Sequence, residues 1–202
     1  MRGSPHPPGT VTIFRVNNHI LQPARLLPSP NHSERTQGSA VDLLVIHNIS
    51  LPPGEFGTGC VDDLFCNNLD FDAHPYFRNL IGLQVSAHLL IDRSGHVTQY
   101  VPFDRKAWHA GQSCFAGREN CNEYSIGIEL EGTDDMPFTE SQYAVLIDVA
   151  RALMSTYPGI TAERIVGHRD IAPGRKTDPG PWFDWNRLKA HLIQQTAGVG
   201  PP

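Results

Sequence analysis

The 202-residue chain contains only four cysteines, Cys60, Cys66, Cys114 and Cys121, and no two of them form a CxxC pair. A zinc ribbon and a thioredoxin-type redox motif are therefore disfavoured, and the thiols read as free. Positive charge is not in excess: the formal net charge is −5. Nothing supplies the basic stripe that phosphates demand, so nucleic acid is not expected as a partner. No stretch approaches the roughly 18 consecutive apolar residues of a membrane helix, and no membrane span is expected. The first ten residues, MRGSPHPPGT, lack the apolar segment of a secretory signal. They are expected to form a flexible segment, 1–10, with a second flexible tail over 197–202, and the expected address is cytoplasmic. There is no HExxH motif, so a helix-borne zinc site is not expected. Internal repeats and linkers are missing too, which leaves one domain over 11–196, long enough to bury a core without disulfide staples or a structural metal.

What the chain does have is concentrated between Gly167 and Pro181. This run packs one imidazole (His168), two carboxylates (Asp170, Asp178) and three cations (Arg169, Arg175, Lys176) among three prolines. Proline fixes φ and carries no N–H, so the run is expected to be neither helix nor central strand. A stiff loop with that much ionisable chemistry reads as a site.

The rest of the pattern is α/β. Residues 11–16 read as an edge strand and 22–40 as loop. Leu43-Leu44-Val45-Ile46-His47 is a continuous apolar run suited to a buried central strand, with its histidine at the end where α/β proteins place ligands. A short helix is expected over 61–68, and a hairpin over 85–91 and 97–101. Residues 125–131, SIGIELE, alternate strictly: Ile126, Ile128 and Leu130 on one face, Gly127, Glu129 and Glu131 on the other. Two carboxylates on one face of such a strand are costly unless they meet water, cations or a metal. Thr139 and Gln142 form a capping box for a helix over 140–156. Residues 165–167 read as a very short strand, and Asp184 as the cap of a last helix over 185–195. The expected fold is a single α/β domain with a mixed central sheet flanked by helices.

The candidates for chemistry are His47, His88, His109, Glu129, Glu131, His168, Lys176 and Asp178. Two neutral imidazoles and a carboxylate match the three-ligand pattern of zinc hydrolases, which leaves one position open for water and acidifies that water. Each residue also has a plainer role. The histidines can be buried hydrogen-bonded imidazoles, His88 above all. His168 and Asp178 can belong to a solvated loop, and Glu129 and Glu131 can be structural carboxylates. Spacing alone does not decide between these.

Several longer segments carry a resemblance. His47-Asn48-Ile49-Ser50-Leu51-Pro52-Pro53-Gly54, Ser86-Ala87-His88, Tyr100 to Asp104, Ala107-Trp108-His109-Ala110-Gly111, Asn122 to Thr133 and the 167–181 loop resemble, in the same order and with similar gaps, the AmpD family of zinc amidases. The resemblance spans about residues 12–192. It implies one Zn2+ per chain held by His47, His168 and Asp178, with Glu129 as general base and Lys176 as oxyanion-stabilising cation. Wider relatives put a cysteine at the third ligand position; Asp178 resembles the AmpD branch. His88 and His109 match no ligand position. The implied reaction is hydrolysis of the amide between the lactyl group of 1,6-anhydro-N-acetylmuramic acid and L-alanine. The implied setting is cytoplasmic peptidoglycan recycling, by a monomer that lowers the muropeptide signal for β-lactamase induction. Candidate substrate contacts are Asn48, Trp108, Ala172 and three arginines, Arg118, Arg169 and Arg175, whose guanidinium groups suit stem-peptide carboxylates. Some family members carry arginine where this chain has Gln84 and Asn120, so carboxylate binding is expected to differ in detail. An amidase of polymeric cell wall and a non-catalytic peptidoglycan-binding module are the alternatives.

Overall fold

Leu43, Leu44, Val45 and Ile46 are all fully buried, as a strand covered on both faces requires. In the computed structural model, which describes residues 13–193, they open the central strand of a six-stranded sheet. The strands are β1 (Arg15–Asn17), β2 (Ile20–Gln22), β3 (Arg25–Leu26), β4 (His32–Glu34), β5 (Leu43–Ile49), β6 (Leu89–Ile91), β7 (Val97–Gln99), β8 (Arg105–Ala107), β9 (Cys114–Phe115), β10 (Arg118–Glu119), β11 (Ser125–Glu131) and β12 (Ile165–Gly167). The helices are α1 (Cys60–Phe65), α2 (Glu140–Thr156), α3 (His168–Ile171) and α4 (Trp185–Ile193), with 3-10 turns at Pro75–Leu80, Cys121–Glu123 and Ala162–Arg164. The main sheet has the order β12-β5-β11-β6-β7-β3. It is mixed: β12, β5, β11 and β6 run parallel, and β7 turns antiparallel to β6.

The two faces differ. Leu44, Ile46, Ile126, Ile128 and Leu130 pack against Leu146, Ile147, Ala150 and Leu153 of α2 in the principal core. Leu43 and Val45 face a smaller cluster with Ala110, Cys121, Tyr124 and Ile171. That second face is covered by loops rather than by a long helix, and it holds the candidate chemistry. The α2 capping box forms as expected: the Gln142 amide donates to Thr139 Oγ1 at 3.1 Å, and the Thr139 amide donates to Gln142 Oε1 at 3.0 Å. Gln142 is fully buried and also donates through Nε2 to the carbonyls of Ile91 and Glu131, so one side chain pins the helix start to the sheet. Asp184 Oδ1 accepts the Arg187 amide at 2.9 Å at the start of α4.

Several boundaries shift from the sequence reading. The first strand begins at Arg15 and pairs with β2 across a turn in which Asn18 and His19 take positive φ. The 22–40 segment contains β3 and β4. The expected hairpin is real but short, three residues a side; beyond it the backbone of His88 still bonds the Gly127 carbonyl and the Tyr100 amide. The expected helix at 61–68 ends at Phe65. The 167–181 run is not wholly irregular: α3 fits into His168–Ile171, ahead of Pro173, where no proline removes an N–H. The expected flexible ends and residues 11, 12 and 194–196 lie outside the described residues. All four cysteines are free. Among the described residues no helix is long and apolar enough to cross a membrane.

Replacing Gln142 with Leu strips two buried carbonyls of their side-chain donor and breaks the cap. The expected cost is about 1–3 kcal/mol, read as a lowered urea midpoint; an unchanged midpoint would place the anchoring elsewhere.

Candidate active site

The parallel register of β5 and β11 sets Glu129 directly beside His47. On the other side β12 pairs Gly167 with Ile46, so His168, the next residue, starts α3 next to His47. These positions all sit toward the carboxyl ends of adjacent parallel strands, where open α/β sheets keep their crevices. Asp178 closes the group from the far end of the loop. Its backbone carbonyl accepts the Arg169 amide at 3.0 Å, which folds the loop back on α3.

The result is a tight triangle. His47 Nδ1 lies 3.0 Å from His168 Nδ1 and 3.0 Å from Asp178 Oδ2, and His168 Nδ1 lies 3.1 Å from the same carboxylate oxygen. His47 and His168 are buried, and the Asp178 side chain is 15% exposed. His168 Nε2 is 3.1 Å from the Ala110 carbonyl. That contact needs the proton on Nε2 and leaves the Nδ1 lone pair aimed at the triangle. Burial, only partly offset by the neighbouring Asp178 carboxylate, holds His47 down to about 4, so it is neutral at physiological pH. Burial pushes Asp178 up, but its contacts with His168 and His47 outweigh it and hold the carboxyl far below the usual range. Ligand atoms of a tetrahedral zinc, each about 2.0–2.1 Å from the ion, stand about 3.3 Å apart. Two imidazole nitrogens and a carboxylate oxygen at 3.0–3.1 Å fit that ion in donor type and in spacing. They are the described residues able to hold a metal.

Glu129 is buried beside this triangle, and its Oε2 has no hydrogen-bond partner. Burial, then the Asp178 charge, pushes its carboxyl well above the ordinary range, while Lys176 pulls it down. Glu131 is not among the causes. It is engaged elsewhere, accepting the amides of Gly57 at 2.5 Å and Arg93 at 3.2 Å. One carboxylate of the pair is thus structural, and the other is free.

A cavity of about 870 Å³ opens over the triangle, lined by His47, Asn48, Trp108, Glu129, Lys176 and Asp178 among others. That size suits a ligand larger than a single amino acid. Tyr76, Leu83 and Gln84 line its wall. Asn48 donates to Asp134 Oδ1 at 2.7 Å, and Trp108 Nε1 donates to Ser33 Oγ at 3.1 Å, so both cavity groups are held by second partners. Arg175 also lines the cavity, but its Nη2 is bound to the carbonyls of Ala110 and Gln112. Arg118 lies in a neighbouring pocket that shares Trp108 with the main one, its guanidinium 3.7 Å from the Tyr124 ring. Arg169 faces a third pocket, with Phe183 and Trp185. Ala172 is buried, and its carbonyl accepts the amides of Arg175 and Lys176. The structure thus gathers His47, His168, Asp178, Glu129, Lys176, Asn48, Trp108 and Arg175, and leaves Arg118, Arg169 and Ala172 outside the cavity wall.

A second cavity, of about 680 Å³, contains Asp62, Asp92 and Glu131. There every carboxylate is already engaged: Asp62 by Arg25 and Tyr100, Asp92 by the Ser94–His96 turn, Glu131 by backbone amides. Its polar groups are satisfied, and the chemistry belongs to the first cavity.

Two histidines complete the neighbourhood. His88 is fully buried, bonded through Nδ1 to the Gly127 amide and through Nε2 to the Arg105 carbonyl. Burial, then the Arg35 charge, holds it down to about 3. His109 lines the cavity and touches His47 at 2.9 Å. Sequence reasoning set it aside because it matched no ligand position. The available signal was Gly127, a glycine inside a buried strand, which marks a close approach by something else.

The Glu129 shift has a measurable consequence in the metal-free protein. A folded-state pKa above the ordinary 4.5 means that the folded protein keeps a proton that the unfolded chain releases. The stability of the neutral form is therefore complete below that value and is lost as the pH rises toward the raised one. Glu129→Gln stays neutral throughout. Its Tm should exceed that of the wild type at about pH 7.5, and the difference should close at about pH 4. A difference that does not change with pH would mean that the carboxylate carries no buried charge.

Comparison with known proteins agrees with this geometry. Residues 37–181 match the N-acetylmuramoyl-L-alanine amidase family. The 1,6-anhydro-N-acetylmuramyl-L-alanine amidase AmpD of Enterobacter cloacae is 55% identical over 177 residues, covering 88% of this chain and 94% of its own. The crystal structure of a selenomethionyl AmpD derivative superimposes with a TM-score of 0.85 at 53% identity, covering 88% of this chain and 98% of that one. The amidase AmiD from Escherichia coli, solved as a complex with anhydro-N-acetylmuramic acid-L-Ala-D-gamma-Glu-L-Lys, gives a TM-score of 0.56 at 28% identity over 93% of this chain and 73% of its own. With the family match spanning most of the chain and the carboxyl-end site in its sheet, this protein belongs to the N-acetylmuramoyl-L-alanine amidase family.

Proposed function

We propose that this chain is a zinc-dependent amidase that hydrolyses the bond between the lactyl group of 1,6-anhydro-N-acetylmuramic acid and L-alanine. The observation that carries the reading is the convergence of His47, His168 and Asp178 within 3.0–3.1 Å beside a buried Glu129 with an unpaired oxygen. The identity to relatives named for this substrate supports the choice of an anhydro-muropeptide.

His47, His168 and Asp178 would hold one Zn2+ per chain, which when bound supplies positive charge that polarises a carbonyl and acidifies water. Glu129 takes the proton of the attacking water and returns it to the departing alanine nitrogen. Its burial and lack of a partner keep it free for both transfers. Lys176 brings a positive charge to the same cavity, where the carbonyl oxygen becomes an anion. Asn48 and Trp108 bound the cavity and are the proposed substrate contacts, with Arg175 at its edge. Arg118 and Arg169, outside the cavity wall, are proposed to meet stem-peptide carboxylates, and Ala172 to act through its backbone. The reading includes a monomer working in cytoplasmic peptidoglycan recycling, with no nucleic-acid or membrane partner; likeness to AmpD supports this setting.

The test pairs metal content with product analysis. Glu129→Ala should retain stoichiometric zinc and lose most turnover, Asp178→Ala should lose zinc and activity together, and Lys176→Ala should lose about 10²–10³ in rate. Zinc retained by Asp178→Ala would remove Asp178 from the ligand set. Wild-type enzyme should release peptide from anhydro-muropeptide much faster than from intact sacculi; the reverse preference would point to a polymer-directed amidase.

A further inference from the structure

His47 reaches the triangle through Nδ1, so its other nitrogen, Nε2, must be dealt with inside the protein. It lies 2.9 Å from Nδ1 of His109. The opposite nitrogen of His109, Nε2, lies 3.1 Å from Ser125 Oγ, and that hydroxyl lies 2.6 Å from the Cys121 carbonyl. A carbonyl only accepts, so the single hydroxyl proton of Ser125 goes to Cys121. Ser125 Oγ must then accept from His109 Nε2–H. A neutral His109 with its proton on Nε2 carries a lone pair on Nδ1, and His47 must donate its Nε2–H to it. Along this relay from His47 to Cys121, the arrangement of protons that satisfies each contact leaves a bare lone pair on His47 Nδ1, the form a metal ligand requires.

The backbone is shaped for this ring. A Cβ built on Gly127 would stand 2.5 Å from Cγ and 2.6 Å from Nδ1 of His109, so only glycine lets the imidazole lie against β11. The amide of His109 donates to Asn122 Oδ1 at 3.1 Å, and the Ala110 amide donates to the same oxygen at 2.8 Å. The Cys121–Glu123 turn therefore fixes both the backbone and the ring of the residue. Its ring stands nearly perpendicular to that of His47, at 85° with centroids 5.0 Å apart, an edge-on approach that aims one N–H at one lone pair.

We propose that His109 is a positioning residue that, with Ser125 and the space left by Gly127, sets the tautomer and orientation of His47 for metal binding. The inference rests on the metal-site reading above. Such outer partners of ligating histidines are typically worth about 10–100-fold in metal affinity.

The test is zinc affinity by chelator competition, measured on correctly folded protein by circular dichroism, with imidazole ¹⁵N shifts as a second readout. Expected are a 10–100-fold weaker Kd for His109→Ala, and recovery in His109→Asn, whose amide oxygen can take the place of Nδ1 as acceptor. Gly127→Ala should also weaken zinc in the wild-type background, yet add nothing in the His109→Ala background, because it acts through a ring that is no longer there. In the zinc-free wild type, His47 should show its proton on Nε2, and Ser125→Ala should reduce that preference. Wild-type Kd in His109→Ala, additive losses in the double variant, or a proton on Nδ1 of His47 in the zinc-free wild type would each overturn the proposal. Failure of the metal reading itself looks different: the wild type would then bind no zinc that depends on His47, His168 and Asp178.

Discussion

The seven-residue parallel ladder between Leu43–Ile49 and Ser125–Glu131 is the contact on which the site depends. It is buried along its whole length on the β11 side, and apolar residues on one face lock its register against α2. A slip of one residue would turn Leu44, Ile46, Ile126 and Ile128 out of the principal core. The same lock holds His47 and Glu129 side by side on the opposite face. The hydrophobic core and the candidate chemistry are therefore two faces of one alignment, and the cost of disturbing either is shared.

Around that ladder the protein collects groups that do not tolerate each other without help. Three lone-pair atoms converge within 3.1 Å, and a carboxyl with no partner is buried next to them. In water each would be solvated separately. Here the surrounding bonds are spent on orientation: Ala110 holds His168, His109 meets His47, and Asp134 holds Asn48. A cation is the natural complement of such a cluster, since it satisfies all three donors at once and offsets the carboxylate charge. The cluster is an arrangement prepared in advance, with its cost carried by the packed ladder beneath.

Legibility in the sequence followed the range of the interactions. The capping box at Thr139 and Gln142, the apolar run ending at His47 and the alternation through Glu129 are local patterns, and the helix and both central strands stand where those patterns put them. The loop from Gly167 departs in part from the expected irregular run, because α3 needs only four residues free of proline. The hairpin stands where its two apolar runs put it, but the His88 ring, which serves the Gly127 amide of β11, is a contact that no local pattern contains. The alternation of β11 does not by itself tell its two carboxylates apart; in the fold the backbone amides of Gly57 and Arg93, distant in sequence, engage Glu131 and leave Glu129 unpaired. Arg169 looked like Arg175, yet α3 turns the first toward Phe183 and the folded loop brings the second toward Ala110.

The sequence by itself determined the α/β class, the buried strands, the helix starts and the set of residues with the chemistry to make a metal hydrolase, because propensity, period and residue type are written in neighbouring positions. The tertiary structure decided which of those residues meet. Convergence of positions 47, 129, 168 and 178, the loss of Arg118, Arg169 and Ala172 from the cavity wall, and the contact of His109 with His47 depend on strand order and loop return. These follow from where buried surface is closed globally, and no local spacing contains them. Gly127 shows the difference most plainly: in the sequence it is a weak spot in a strong strand, and in the fold it is the space in which a histidine lies.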